Sequence, residues 1–114
     1  MQHVSLENGR WAQMTFPQQM ANIGSETSRT LKAMEAGKDN RAESAFARAQ
    51  ELIDLTIKYG RLDNPSARSA MLEELCRFRE LFCAAVLSRD LTELALLNRY
   101  LDQFAMINPD PREA

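Results

Sequence analysis

The sequence contains little histidine, cysteine, glycine or proline: one, two, four and four residues among 114. Its single histidine, His3, excludes the usual histidine-dependent sites, namely Ser-His-Asp and Cys-His nucleophiles, Glu-x-x-His di-iron sites and zinc sites of normal spacing. No glycine-rich loop is present to bind phosphates, and no apolar run approaches the roughly 18 residues of a membrane span. We therefore expect no catalytic residues, no metal, no cofactor and no membrane partner.

Neither charge is in large excess, since fourteen Lys and Arg face sixteen Asp and Glu and the net charge is −2. Electrostatic binding of nucleic acid depends on several basic side chains on one face of a protein. The even distribution of charge along the chain disfavours nucleic acid as a partner. A local arginine patch remains open, because eleven of the fourteen basic residues are arginine.

Cys76 and Cys83 are seven residues apart, which on a helix separates them by about 10 Å. A disulfide needs Cα atoms within about 7 Å of each other, so the two thiols do not pair within that helix. The first residues, MQHVSLENGRW, lack the charged and apolar segments of a secretory signal. We expect a cytoplasmic protein with two reduced cysteines.

Four amphipathic helices are predicted, because apolar residues recur every three or four positions between short segments that contain proline or glycine. Residues typical of helix N-caps stand before each one, at Thr15, Asn40, Asn64 and Asp90. Short connections favour antiparallel neighbours. The predicted fold is all-α, an up-down antiparallel four-helix bundle over residues 15–108, with a leader (1–14) packed on the bundle end and a frayed tail (109–114). The predicted helices span about residues 16–36, 41–59, 65–87 and 91–107.

The apolar surface of these helices is wider than one small bundle needs, because the third and fourth helices carry a second apolar set beside or opposite the main stripe. Large exposed apolar surfaces usually mark association sites, so we expect a homo-oligomer, most simply a two-fold dimer. The alternative is that these side chains are covered within the bundle or by the leader. The predicted interface comprises Leu96, Tyr100 and Ile107 on the fourth helix and Leu72, Cys76 and Cys83 on the third.

Arg79 falls within the apolar arc of the third helix, and a buried guanidinium needs a carboxylate partner. The candidates are Glu26, Glu51 and Asp54, which with Arg79 make a predicted buried polar cluster. A structural ion pair, or an arginine that reaches solvent at the rim, is the simpler interpretation. The alternative is an open pocket that binds an anionic ligand.

Glu51 and Asp54 form a Glu-x-x-Asp pair one helical turn apart. This pair resembles the second half of the magnesium site in MazG-type nucleotide pyrophosphohydrolases, whose first half is Glu-x-x-Glu. Glu26 has no acidic residue three positions away, and Glu73 and Glu74 are adjacent. Because Mg²⁺ needs carboxylates from more than one element, a magnesium-dependent pyrophosphohydrolase is kept only as an alternative.

Three segments carry a family resemblance: residues 10–26 (RWAQMTFPQQMANIGSE), 45–57 (AFARAQELIDLTI) and 74–83 (ELCRFRELFC). They resemble a small family of prokaryotic all-helical proteins with no assigned activity. The resemblance spans about residues 10–83 and implies a compact helical domain of a bacterium or archaeon, but no catalytic residue. In architecture alone the chain is also similar to the four-helix proteins of ribosomal-RNA intervening sequences, which tend to be basic.

The predicted function is that of a non-enzymatic helical protein that acts by homo-oligomerisation or by docking a protein partner. The first alternative is a magnesium-dependent nucleotide pyrophosphohydrolase or another protein that binds an anionic ligand. The second alternative is a nucleic-acid accessory protein.

Overall fold

A computed structural model describes residues 10–60 and 64–107 of the chain, with side chains as far as residue 104. Within these ranges the protein is all-helical, as predicted, and contains no strand. Part of the predicted leader is itself helical, so five helices are present rather than four. They are α1 (Trp11–Gln13), α2 (Phe16–Glu35), α3 (Asp39–Tyr59), α4 (Pro65–Ser88) and α5 (Leu91–Ile107).

Three of the sequence-based predictions fall on parts of the chain outside the described residues. These are the packing of leader residues 1–9, the frayed tail (109–114) and the side chain of Ile107. Among the helices that are described, every one is too short or too polar to cross a lipid bilayer.

α2 begins with the capping box predicted at Thr15. The Thr15 hydroxyl accepts a hydrogen bond from the backbone N–H of Gln18 (3.2 Å), and the Thr15 N–H donates to Gln18 Oε1 (2.9 Å). Pro17 occupies the first turn, where a missing N–H leaves no hydrogen bond unmade. Gly37 follows the helix with a φ of 69°, a left-handed conformation that glycine adopts without strain. Local interactions thus fix both ends of α2.

The predicted start of α3 is wrong. The sequence predicts an N-cap at Asn40, but the helix begins at Asp39 and its N-cap residue is Lys38. No side chain caps this end, so the first N–H groups of α3 are left for solvent or a ligand.

α4 and α5 begin at the predicted caps. Asn64 Oδ1 accepts hydrogen bonds from the first N–H groups of α4, at 2.8 and 3.3 Å. Asp90 Oδ1 accepts from the Glu93 N–H at 3.0 Å. Only Arg89, in a left-handed conformation with φ 56°, and Asp90 join the two helices.

α2 makes the most extensive helix contacts, with α3 on one side and α5 on the other, and α4 packs against both α3 and α5. Gly24 lies where α2 approaches α5, since a Cβ at this position would be 3.2 Å from the Leu101 Cβ. The lack of a side chain at Gly24 therefore lets α2 pack closely against α5.

A continuous series of aromatic contacts links α3, α4, α5 and α2. Each such pair contributes about 0.5–1.5 kcal/mol beyond the burial of its surface, so the series helps to hold four helices in one core. The ring centroids are separated by 5.1 Å for Phe46–Phe82, 5.5 Å for Phe78–Phe82, 6.4 Å for Phe78–Tyr100, 5.9 Å for Tyr100–Phe104 and 6.0 Å for Phe16–Phe104.

α1 is held to α2 by a buried hydrogen bond. The Trp11 side chain is 1% exposed, and the Trp11 carbonyl accepts from Gln19 Nε2 at 2.9 Å. Gln19 is itself completely buried. Sequence periodicity gave no sign of this glutamine, because an amide becomes a core residue only where a neighbouring element supplies its partner.

Candidate functional site

The four predicted polar residues do not form one buried cluster. Arg79 on α4 donates to the Asp54 carboxylate on α3 and, at 3.5 Å, to the Gln50 carbonyl. The Asp54 side chain is 68% exposed, so this pair lies at the rim between the helices. An exposed ion pair of this kind contributes about 0–1 kcal/mol. Glu51 lies half-buried on the same helix, one turn before Asp54.

Glu26 is the buried carboxylate of the set, and its partners were not predicted. Its side chain is 7% exposed and accepts two hydrogen bonds, from Arg29 Nη1 at 3.0 Å and from Arg48 Nε at 3.1 Å. Arg48 belongs to α3, so this contact joins two helices. Among the described residues, no three potential metal-ligating side chains converge on one point.

The predicted interface residues on α4 are placed differently from one another. Cys76 is exposed, Leu72 is half-buried, and Cys83 is half-buried with its Sγ accepting from Gln50 Nε2 at 3.4 Å. Cys83 therefore contributes to the contact between α3 and α4, and only Cys76 of the three is fully presented to solvent.

The two described interface residues on α5 also differ. Leu96 is 55% exposed. Tyr100 is half-buried, packs on Phe78 and Phe104, and donates its hydroxyl proton to the Glu74 carboxylate. Much of the Tyr100 side chain is thus used inside the fold, which corrects the expectation that it is presented outward beside Leu96.

Burial raises the pKa of the Tyr100 phenol well above its ordinary value, and the hydrogen bond to Glu74 and the negative charge of that carboxylate raise it further. The phenol therefore stays protonated in the folded protein and remains a donor to Glu74 across the physiological pH range. Its arrangement is that of a structural link between α4 and α5.

Large apolar side chains are exposed on one half of the molecule. Within the described residues, all of those recorded as exposed belong to α4 or α5, and α2 and α3 have none: Leu81 (43%), Leu87 (81%), Leu91 (37%) and Leu96 (55%). Sequence analysis identified only Leu96. Leu81 and Leu87 lie outside the main apolar stripe of α4, and the second apolar set predicted on this helix did not include them.

The chain matches no family model, no curated protein and no solved structure. The resemblance to a prokaryotic helical family therefore stays a prediction, and function has to be inferred from the geometry of this molecule.

Proposed function

We propose that the protein is a non-enzymatic helical interaction protein, and that the surface around Leu81 and Leu96 pairs it with a second copy in a two-fold dimer. The observation that carries the proposal is the confinement of the exposed leucines to α4 and α5. An exposed leucine that becomes fully buried contributes about 1.5–3 kcal/mol, so a patch that carries two of them, Leu81 and Leu96, favours association.

Leu81 and Leu96 lie at the same level of one helical hairpin. A two-residue connection favours an antiparallel α4–α5 pair, and Tyr100 on α5 contacts Phe78 on α4. In an antiparallel pair, one turn back along α5 from Tyr100 corresponds to one turn forward along α4 from Phe78. These steps lead to Leu96 and Leu81, so the two side chains mark one patch at the α4–α5 edge.

A second copy is the occupant that suits this patch. Charges of both signs flank it, with exposed Arg77 and Glu80 on α4 and half-buried Glu93 on α5. A two-fold axis presents the same patch to itself and brings opposite charges from the two copies together. A partner that carries charge of mainly one sign would leave either the positive or the negative residues around the patch without an opposite charge.

The proposal includes an up-down arrangement of α2 to α5. The connections between these helices contain three, five and two residues, and such short connections favour antiparallel neighbours. In this arrangement α4 and α5 form one side of the bundle, and that side is the one available to the second copy.

The test is the solution mass of two charge-introducing variants, measured by light scattering or sedimentation. The wild-type protein is expected at twice its chain mass of 13.0 kDa, and Leu96→Glu at the mass of one chain. Leu87→Glu is the matched control, because Leu87 is more exposed than Leu96 and lines a groove with residues of α2 and α3. It is expected to remain dimeric.

A monomeric wild-type protein would overturn the proposal, and so would an unchanged dimer in Leu96→Glu. Dissociation caused by Leu87→Glu alone would place the interface elsewhere and would also contradict it. Tyr100→Glu is a poorer variant for this purpose. It would place a second carboxylate beside Glu74 and disturb the monomer as well as any dimer.

A further inference from the structure

A groove with a volume of about 610 Å³ runs between the second half of α2 and the first half of α3. Half of its ten lining residues are basic and none is acidic. The remainder are small or neutral side chains, among them Ala33, Ala36 and Ser44. This concentration of positive charge contrasts with the net charge of −2 for the chain.

We propose that this groove, hereafter the basic groove, binds a chain of linked phosphate groups. Three of its cations have no carboxylate partner among the described residues: Lys32, Lys38 and Arg41. The other two, Arg29 and Arg48, share the single carboxylate of Glu26. The charge of the groove is therefore largely uncompensated by the protein itself.

The arrangement of the cations fits a linear anion better than a single phosphate. Arg29 and Lys32 lie three residues apart on α2, and Arg41 and Arg48 lie seven apart on α3. At 1.5 Å per residue these pairs extend about 5 and 10 Å along their helices. Lys38 lies at the end of the groove where α2 connects to α3, so positive charge lines both walls and one end.

Backbone donors add to the end of the groove near Lys38. α3 begins there without a side-chain cap, and Asn40 and Arg41 of its first turn line the groove. Uncapped N–H groups and the positive end of the helix dipole both favour an anion at this point. The alanine and serine side chains between the basic residues leave room for an anion to approach the helices closely.

The lining also indicates which part of a ligand is recognised. It contains no aromatic residue, and proteins that hold single-stranded bases usually stack them on aromatic rings. Recognition in the basic groove therefore depends on phosphates and not on bases. A free oligophosphate, such as tripolyphosphate or the tail of a nucleoside triphosphate, and the phosphate backbone of a duplex both carry this chemistry.

The experiment is a binding titration of the full chain with tripolyphosphate, ATP, a short RNA duplex, inorganic phosphate and poly-glutamate, each at low and moderate salt. Tripolyphosphate, the duplex or both are expected to bind more tightly than inorganic phosphate and poly-glutamate, with affinity that falls as salt rises. ATP binding would assign the groove to free oligophosphates, and a steep salt dependence with the duplex alone would assign it to a nucleic-acid backbone.

The variant that tests the site is Lys32→Glu/Arg41→Glu, because both side chains are exposed and neither is paired within the described residues. We expect a loss of affinity of roughly tenfold or more and a shallower salt dependence. The matched control, Lys58→Glu/Arg99→Glu, makes the same change in net charge at exposed positions of α3 and α5 outside the groove and is expected to bind like the wild type. Circular dichroism verifies that both variants are folded.

A third variant has the opposite expectation. Glu26→Gln removes the carboxylate that Arg29 and Arg48 share, so it is expected to tighten phosphate binding. The proposal is overturned if the groove and control variants lose affinity equally, or if poly-glutamate binds as tightly as the phosphate chains. It is also overturned if wild-type protein binds no phosphate chain at low salt. These outcomes are independent of the dimer test, because the basic groove lies on α2 and α3.

Discussion

The strength of the Glu26 ion pairs depends on burial, and double-mutant cycles measure this dependence directly. Glu26 contacts Arg29 and Arg48 at nearly equal distances, 3.0 and 3.1 Å. Their surroundings differ, because the Arg29 side chain is 65% exposed and the Arg48 side chain is 33% exposed. Water therefore weakens the Glu26–Arg29 pair more than the Glu26–Arg48 pair, since exposed ion pairs contribute only about 0.2–1 kcal/mol.

We expect a coupling free energy of about 1.5 kcal/mol between Glu26 and Arg48, in the range of hydrogen bonds to charged groups. The coupling between Glu26 and Arg29 should be about 0.3 kcal/mol, the value typical of exposed helical pairs. Glu26→Gln alone should then lower the free energy of unfolding by about 2 kcal/mol, below the 3–5 kcal/mol of a fully buried pair. For a chain of this size that corresponds to a fall in Tm of about 8 °C.

The measurement is urea unfolding followed by circular dichroism, applied to Glu26→Gln, Arg29→Gln, Arg48→Gln and the two double variants. Glu35→Gln is the control, because Glu35 is an exposed carboxylate on the same helix and should change stability by less than about 0.5 kcal/mol. Equal coupling energies for the two arginines, or a larger one for Arg29, would refute the argument that burial determines the difference.

Three further predictions concern the core and its helix contacts. Gly60→Ala should destabilise the protein by about 1–3 kcal/mol in thermal unfolding, because the added Cβ would lie 2.5 Å from the Thr56 carbonyl oxygen; wild-type stability would contradict this placement. Gly24→Val should lower the free energy of unfolding by a similar amount, about 1–3 kcal/mol, because the added side chain would push α2 away from α5. An unchanged stability would show that the two helices do not pack closely at this position. Tyr100→Phe should cost about 1 kcal/mol near neutral pH through the lost hydrogen bond to Glu74. Folding raises the pKa of the Tyr100 phenol. The stabilisation from its hydrogen bond is therefore complete below about pH 10, where the tyrosine of the unfolded chain titrates, and it declines at higher pH. Urea unfolding of the wild type and of Tyr100→Phe, measured from neutral to alkaline pH, should show that the difference in their free energies of unfolding shrinks above about pH 10. A difference that does not change with pH would contradict the role given to this hydrogen bond.

Part of the candidate site followed from sequence and part did not. The second apolar set of the fourth predicted helix pointed to Leu96, which is exposed. The same set included Tyr100, whose side chain instead links α5 to Phe78 and Glu74 on α4. A helical wheel shows the direction of a side chain from its own axis. It does not show whether a neighbouring helix lies there.

The sequence by itself determined the helices and several of their ends, because the interactions involved span at most four residues. The Thr15–Gln18 capping box and the Asn64 cap are of this kind. Only the tertiary structure decided that Glu26 meets Arg48, 22 positions away, and that cations of α2 and α3 line one groove. Such contacts depend on how whole helices pack, since packing brings together side chains whose separation along the chain leaves no local pattern.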